Sequence, residues 1–275
     1  MPIITLTSDY GTLDYRVAAV KGQILSLNQS ANIVDITHEI SSYDLLQTSY
    51  IVKNAYKYYP KGSVHVICVD SFHSKFVKHV LYKADGHYFI AADNGVLSLI
   101  LSDVRPESIH EITLHNRFDD NINFLAIDVF AHAAVHLMNG GIPDVIGRKL
   151  TTPKKLSYPK AVYNETERMI LGEVIYIDKF ENVVTNITKK FFKKIHSNFP
   201  EQVVKFRNLK LHRIYNKYSD IVTDSEQESL MHGTAAVIFN EADFMEILIY
   251  KGLENNGARN LMGLKVGEKI YIEFF

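Results

Sequence analysis

The chain has 275 residues, of which 47% are hydrophobic and 22% are charged, so it can bury a sizeable core in one large domain or two smaller ones. Lysine and arginine (30) nearly balance aspartate and glutamate (31), and this balance gives no general attraction to nucleic acid or to an anionic membrane. Cys68 is the only cysteine, which excludes an intrachain disulfide and a multi-cysteine zinc site. With no apolar run near the roughly 18 residues of a membrane span, we expect a cytoplasmic protein.

The first half of the sequence predicts strands that alternate with helices. Strands are predicted at residues 3–7, 32–37, 63–69 and 87–92, and helices at residues 15–27 and 44–58. This alternation favours parallel strand pairing through right-handed crossovers. We therefore predict an α/β domain with a mainly parallel sheet over residues 1–150, whose ligands bind beyond the carboxyl ends of the strands.

Three aspartates follow predicted strands at that edge. Asp9 follows the first strand and Asp70 the third, while Asp93 follows a strand that is entered through the Asp85–Gly86 turn signal. A single aspartate in such a place is more often a helix cap or a turn residue. Three in one sheet favour a ligand site.

The second half of the sequence has a different character. Residues 151–168 contain two prolines and several lysines without a sustained period, which predicts a linker. Beyond it, residues 170–177, 235–239, 245–250 and 269–274 alternate like strands, with few helical stretches between them. We predict a smaller, β-rich and barrel-like domain over residues 169–275.

His132 and His136 lie four residues apart on a predicted helix, a spacing that can present two imidazoles to a metal ion. No glutamate lies beside them and no third ligand is evident, so we predict no metal site and no cofactor. Tyr43, flanked by polar residues in ISSYD, is a candidate ligand platform.

Eight short motifs occur in order along the chain, namely SDYGTLDY, VKGQILSLN, IVDITHEI, the strand before Asp70, AADNGVLSLI, DKFENVVTNI, KYSDI and GLKVGEKIYI. Together they resemble the S-adenosylmethionine hydroxide adenosyltransferases, relatives of the fluorinase and chlorinase enzymes. The resemblance implies a two-domain subunit. It also implies a homotrimer in which the N-terminal domain of one subunit and the C-terminal domain of its neighbour hold the adenosyl ligand.

The resemblance implies ligand contacts for several residues. Asp9 matches the aspartate that binds the ribose diol, a task that suits the two oxygens of a carboxylate. Asp14 matches the aspartate near the methionine ammonium, and Tyr43 matches an aromatic wall against the ribose and the sulfonium cation. In the second domain, the matching adenine and amino-acid contacts are Asn182, Asp220, Asn240 and Phe244.

The catalytic residues of the hydrolytic members are only partly present. The resemblance implies an aspartate, an arginine and a histidine that hold and activate the water displacing methionine from the ribose C5′. Asp70 matches the aspartate, but Val77 stands at the arginine position and Leu125 at the histidine position. The altered loop after Asp70 offers the substitutes His73, Lys75 and Lys78.

The methionine end of the ligand site also departs from the family pattern. Glu241 follows Asn240 where the family has a serine that helps to hold the methionine carboxylate, and a glutamate there would repel that group. Glu181 stands where the family has glycine. Recognition of the adenosyl part is better preserved than recognition of methionine.

We therefore expect an adenosyl-binding protein that cleaves S-adenosylmethionine with water to adenosine and methionine, with altered or weakened catalysis. The alternative is a non-catalytic protein that binds or senses adenosine or S-adenosylmethionine. A halogenase is disfavoured because the charge of Asp70 would repel a halide ion.

Overall fold

The structure is a computed structural model that describes residues 2–74, 76–114, 122–224, 226, 228–253 and 255–275. Lys75, one of the three substitutes predicted in the altered loop, lies outside the described residues. The chain divides into two compact units, Met1–Tyr158 and Pro159–Phe275. The boundary between the units falls within the stretch predicted as a linker, residues 151–168.

The first unit is built on a seven-stranded sheet. Its strands are β1 (Ile4–Ser8), β2 (Ile33–Thr37), β3 (Val64–Cys68), β4 (His79–Ala84), β5 (His87–Ala92), β6 (Ser108–Ile112) and β7 (Gly147–Lys149). Its helices are α1 (Tyr15–Leu27), α2 (Leu45–Ala55), α3 (Val96–Ile100), α4 (His132–Met138) and α5 (Pro143–Ile146), with a π-helix at Ala126–Ala131 directly before α4. No helix among the described residues is both long and apolar enough to cross a membrane.

The strand order of this sheet is β2-β1-β3-β5-β4-β6-β7. Strand β1 pairs in parallel with β2 and β3, and β3 pairs in parallel with β5. The pairs β5–β4, β4–β6 and β6–β7 are antiparallel, so all described strands of the sheet except β4 and β7 run in one direction. The predicted α/β fold with a mainly parallel sheet is confirmed.

Alternating side chains of the central strands fill a core on each face of the sheet. Ile4 and Leu6 of β1 pack with α1, the π-helix and α4, whereas Ile67 of β3 packs with α2 and α3. All five residues of β1 and of β3 are buried, as expected for strands that are covered on both faces. Helices α1 and α2 begin where Asp14 and Asp44 accept hydrogen bonds from backbone N–H groups of the first turn.

The Asp85–Gly86 signal marks the hairpin that joins β4 to β5. Asp85 has a φ of 49° and Gly86 a φ of 71°, the pair of positive values that a tight hairpin turn with right-handed strand twist requires. The hairpin sets β4 beside β5, and β4 thereby begins at the same edge where β5 ends.

The second unit is a β-sheet of nine strands that nearly closes into a barrel. Its strands are β8 (Val162–Asn164), β9 (Met169–Ile177), β10 (Val183–Thr188), β11 (Gln202–Phe206), β12 (Leu209–Leu211), β13 (Ile214–Tyr215), β14 (Ala235–Phe239), β15 (Phe244–Ile249) and β16 (Lys269–Phe274). Its helices are α6 (Lys189–His196), α7 (Glu228–Met231) and α8 (Ala258–Met262). The main path is β12-β11-β16-β9-β10-β15-β14-β13, and β12 lies close to β14 near the other end of that path. The predicted β-rich, barrel-like fold is confirmed.

Two neighbouring histidines are buried near the amino ends of the parallel strands. His65 Nδ1 lies 2.8 Å from Thr5 Oγ1, and His65 Nε2 lies 3.2 Å from His87 Nδ1. Burial, with the neighbouring His87, lowers the pKa of His65 to about 3, and burial also lowers the pKa of His87. Both imidazoles are therefore neutral near pH 7.

Acidification should destabilise the protein through this pair. The unfolded chain protonates His65 near pH 6.5, whereas the folded chain does so only near pH 3, so stability is lost as the pH falls through this window. The loss should reach up to about 1.4 kcal/mol per pH unit for this residue. Urea unfolding at pH 7, 6 and 5 should show a shallower dependence on pH in His65→Gln, while the exposed His132→Gln should behave like wild type. Equal slopes in wild type and His65→Gln would contradict the assignment.

Candidate functional site

The Asp9 carboxylate joins the ends of three neighbouring strands. Its Oδ2 accepts hydrogen bonds from the backbone N–H of Tyr43 at 3.1 Å and of Asp70 at 3.3 Å. Tyr43 lies between β2 and α2, and Asp70 follows β3. Both residues have positive φ values, 65° and 47°, a conformation that costs free energy in any residue except glycine. The structure thus brings together Asp9, Tyr43 and Asp70, which the sequence singled out separately.

Two exposed aromatic rings lie beside these carboxylates. Tyr43 is 58% exposed and Phe72 is 60% exposed, and their ring centroids are 6.3 Å apart. Exposed aromatic faces next to a carboxylate suit a ligand that carries a flat base or a cation. Sequence reasoning missed Phe72, although it is an apolar residue in a largely polar loop only two positions after Asp70.

Asn94 supports Asp70 from the end of β5. Its Nδ2 donates to the carbonyl oxygens of Val69 at 3.1 Å and of Asp70 at 3.2 Å, and its Oδ1 accepts from the backbone N–H of Val96. The third predicted carboxylate, that of Asp93, accepts from the backbone N–H of Lys154 at 3.0 Å. The edge therefore holds all three aspartates, but Asp93 is engaged with its own chain.

His38 connects the end of β2 to the end of β1. Its Nδ1 lies 2.7 Å from Ser8 Oγ, and its Nε2 lies 3.1 Å from Asp35 Oδ1. Beside it is a cavity of about 10 Å³, the size of a single water molecule, whose lining includes Ser8, Tyr10 and Cys68. Burial raises the pKa of the Cys68 thiol to about 12, so it is protonated near pH 7. These contacts fix the backbone on either side of Asp9.

Val77 and Leu125, the two positions at which the resemblance predicts an arginine and a histidine, have different surroundings. Leu125 is 2% exposed and belongs to the apolar core that also contains Phe130. Val77 is half-buried in the loop after Asp70. Neither side chain can transfer a proton or carry a charge.

The two described substitutes in the altered loop, His73 and Lys78, have different contacts. The Nζ of Lys78 lies 3.3 Å from Glu111 Oε2 on β6, so its ammonium is held in an ion pair. His73 is exposed, and the centroid of its ring lies 6.0 Å from that of the buried His79. His73, unlike Lys78, lies against a second imidazole.

Asp14 and the two histidines of α4 also have partners within the chain. Asp14 caps α1 by accepting from the backbone N–H of Arg16 and forms an ion pair with the Arg16 guanidinium. The Nε2 of His136 donates to the Ile142 carbonyl at 3.1 Å, and His132 lies beside Gln23. No group of three or more potential metal ligands occurs among the described residues. The role of Asp14 at a methionine ammonium stays a prediction.

In the second unit, two of the predicted ligand residues share one buried carboxylate. The Nδ2 of Asn240 donates to Glu246 Oε2 at 2.9 Å, and Asn182 also hydrogen-bonds to Glu246. Asn182 in turn donates to both carboxylate oxygens of Asp178. Burial raises the pKa of Glu246 to about 7, and the charges of Asp178 and Glu241 add to the rise although the hydrogen bond from Asn240 opposes it. This corner of the barrel is therefore acidic.

Of the other two predicted residues of this unit, both described in the structure, only Phe244 contacts this group. Phe244 begins β15, and its backbone N–H donates to Asn240 Oδ1 at 3.1 Å. Asp220 ends a short 3-10 helix and is half-buried. Contacts of Asn182, Asp220, Asn240 and Phe244 with a ligand stay predictions.

Glu181 occupies a glycine-like conformation. It has a φ of 61°, a backbone conformation that glycine adopts more readily than any other residue. Its carboxylate accepts from the backbone N–H of Gly257 at 2.9 Å and from Asn260 Nδ2 at 2.6 Å. These hydrogen bonds offset the backbone strain of a non-glycine residue.

Both units of the chain match domains of one known protein family. Residues 4–147 match the SAM hydroxide adenosyltransferase N-terminal domain, and residues 172–271 match the C-terminal domain of the same family. The chain belongs to the SAM hydroxide adenosyltransferase family. The family predicted from the eight motifs is confirmed.

Among the relatives of this SAM hydroxide adenosyltransferase family member, some are named as hydrolases and others as fluorinases. A protein from Methanocaldococcus jannaschii named (R)-S-adenosyl-L-methionine hydrolase is 31% identical over 226 residues, which cover 76% of this chain and 80% of that protein. A fluorinase from an Actinoplanes species is 23% identical over 229 residues, covering 74% and 77%. The crystal structure of an uncharacterized conserved protein from Thermotoga maritima has a TM-score of 0.84 and 28% identity, and the match covers 98% of this chain and 100% of the other.

In this family member, alkaline pH should loosen the barrel around Glu246. The pKa of Glu246 is about 7 in the folded chain, compared with 4.5 for an unperturbed glutamate. The free energy of unfolding is therefore greatest below pH 4.5 and falls as the pH rises through 7, by up to about 3 kcal/mol in total. Hydrogen–deuterium exchange of the β14–β15 segment should therefore become faster in wild type than in Glu246→Gln between pH 5 and pH 8. The exposed Glu201→Gln should match wild type. A constant difference between wild type and Glu246→Gln across that range would refute the prediction.

Proposed function

We propose that the chain is a cytoplasmic, homotrimeric enzyme that binds S-adenosylmethionine and hydrolyses it to adenosine and methionine. The observation that carries this proposal is the fixed Asp9 carboxylate between the ends of β1, β2 and β3. Its orientation is set by the N–H groups of Tyr43 and Asp70, and its remaining lone pairs can accept from two adjacent hydroxyls of a ribose. The relative named as an S-adenosylmethionine hydrolase supports the same reaction.

Hydrolysis needs little activation of the leaving group by the protein, because the sulfonium of S-adenosylmethionine already leaves readily as a thioether. Water attacks C5′ of the ribose, the C5′–S bond breaks, and its electron pair stays on sulfur as the neutral thioether of methionine. The protein must position the water and accept one proton. Asp70, whose backbone N–H and carbonyl are held by Asp9 and Asn94, supplies the carboxylate that we propose for holding this water.

The neighbouring rings fit the cationic part of the ligand. Tyr43 and Phe72 expose aromatic faces beside Asp9, and such faces attract a sulfonium cation. Glu241 and Glu246 make the second unit's ligand corner acidic, which disfavours the methionine carboxylate. We therefore expect the adenosyl part of the ligand to contribute most of the binding free energy.

A non-catalytic binding protein is the second candidate function. It is favoured by one observation, the burial of Leu125 in the apolar core at the position where hydrolytic relatives are expected to have histidine. A protein of this kind would bind adenosine or S-adenosylmethionine through Asp9 and Tyr43 without forming product.

Purified protein mixed with S-adenosylmethionine should produce adenosine and methionine in equal amounts, measured by chromatography. Asp9→Asn keeps an oxygen that can accept the two backbone N–H bonds but loses the charge, so its affinity for adenosine in calorimetry should fall roughly 10- to 100-fold. The matched control Asp103→Asn, which removes an exposed carboxylate of the same unit, should bind normally. Binding without product would favour the second candidate, and unchanged affinity in Asp9→Asn would remove Asp9 from the site.

The trimer is supported by the distribution of the predicted ligand residues. Asp9, Asp14 and Tyr43 lie in the first unit, whereas the second unit supplies Asn182, Asp220, Asn240 and Phe244. Light scattering coupled to gel filtration should give three times the mass of one chain. The mass of a single chain at micromolar concentration would exclude the trimer.

A further inference from the structure

His79 lies at the same edge of the sheet as Asp70. It is the first residue of β4 and pairs with Ala92, the last residue of β5, and the backbone N–H of Asp93 donates to the carbonyl of Lys78 at 2.8 Å. Strand β5 lies directly between β3 and β4, so the residues that follow β3 and those that begin β4 are separated by one strand.

The ring of His79 faces the π-helix that follows Leu125. His79 is 4% exposed, and its ring packs edge-on against Phe130, with centroids 6.0 Å apart and an interplanar angle of 79°. In a π-helix, hydrogen bonds join residues five positions apart, so Leu125 and Phe130 lie on the same side of it. Both belong to one apolar core. The imidazole of His79 thus lies against the side of the helix where position 125 carries leucine.

His73 connects this buried ring to the surface. It lies in the loop after Asp70, is exposed, and its ring centroid is 6.0 Å from that of His79, with the rings tilted by 40°. Lys78 is a poorer proton acceptor because Glu111 holds it as an ammonium ion. The two histidines therefore form a pair that reaches from the core edge to solvent.

We propose that His79 supplies, from strand β4, the imidazole that is missing at position 125, and that His73 passes the proton on to solvent. This inference rests on the hydrolysis proposed above. As water attacks C5′ and the C5′–S electron pair moves to sulfur, one water proton moves to His79, then to His73 and out. Asp70 positions the water. Adenosine, methionine and one proton are the products.

Other charged groups lie on the elements that neighbour the pair. They are Asp70 after β3, Asp93 after β5, the Lys78–Glu111 ion pair between β4 and β6, and Asp128 of the π-helix, which accepts from the backbone N–H groups of residues 123 and 124. His73 is the only other imidazole in this set, and it is the group that the proposed relay uses. A separate His73 variant therefore resolves the pH dependence.

The test is the pH profile of kcat from pH 5 to pH 9, with adenosine affinity measured for every variant. His79→Asn should lower kcat about 100-fold or more and remove the decline of kcat at acidic pH, with adenosine affinity unchanged. His73→Gln should reduce kcat less and keep that decline. The matched control His110→Asn replaces a histidine of β6 that is only 2% exposed, and it should leave kcat unchanged.

A swapped variant makes the test independent of any loss of stability. His79→Asn combined with Leu125→His returns an imidazole to the helix and should recover roughly 10-fold or more of the lost kcat. If His79→Asn no longer binds adenosine, the double variant is the deciding measurement. Recovered turnover in the double variant supports the inference, and no recovery overturns it. A wild-type kcat and pH profile in His79→Asn would overturn the inference and leave hydrolysis standing. Wild type that binds adenosine but forms no product would overturn both.

Discussion

The edge of the first unit where β1, β2 and β3 end depends on one carboxylate that accepts hydrogen bonds from two backbone N–H groups. Asp9 can reach Tyr43 and Asp70 because β1 lies between β2 and β3 with all three strands parallel, so their carboxyl ends meet. Each left-handed residue costs roughly 1–2 kcal/mol, and a hydrogen bond to a charged group contributes roughly 1.5–3 kcal/mol. The conformations of both loops are thus stabilised by Asp9, and a ligand would meet groups that are already in place.

Much of the fold could be predicted from the sequence because local patterns and tertiary packing agree. Helix α1 begins and ends at the predicted residues, since Asp14 caps it and its apolar residues have helical spacing. Strands β14 and β16 also match their predicted bounds. The π-helix could not be predicted, because its hydrogen bonds join residues five positions apart and no residue type marks that change. Nor does composition show that β8, within the predicted linker, pairs with β9.

The candidate site also contains residues that could be predicted from the sequence and residues that could not. Asp9, Tyr43 and Asp70 could be named because each follows a strand or matches a family motif. Asn94 and His79 could not, since their relevance comes from strands that are neighbours in the sheet and distant in sequence. The β4–β5 hairpin is decisive here, because it brings the start of β4 to the edge where β5 ends. Leu125, where the family resemblance predicts a histidine, therefore suggests loss of function from the sequence alone, whereas the structure has another imidazole, that of His79, against the helix that follows it.

Glu181 shows how two positions far apart in sequence become energetically coupled. A glycine at position 181 would adopt a φ near 61° at little cost and would need no partner, but a glutamate needs Asn260 and the N–H of Gly257 to compensate. The cost of a substitution at position 260 therefore depends on the residue at position 181. In this chain, loss of Asn260 removes a hydrogen bond from a strained residue, whereas the same loss would matter little beside a glycine.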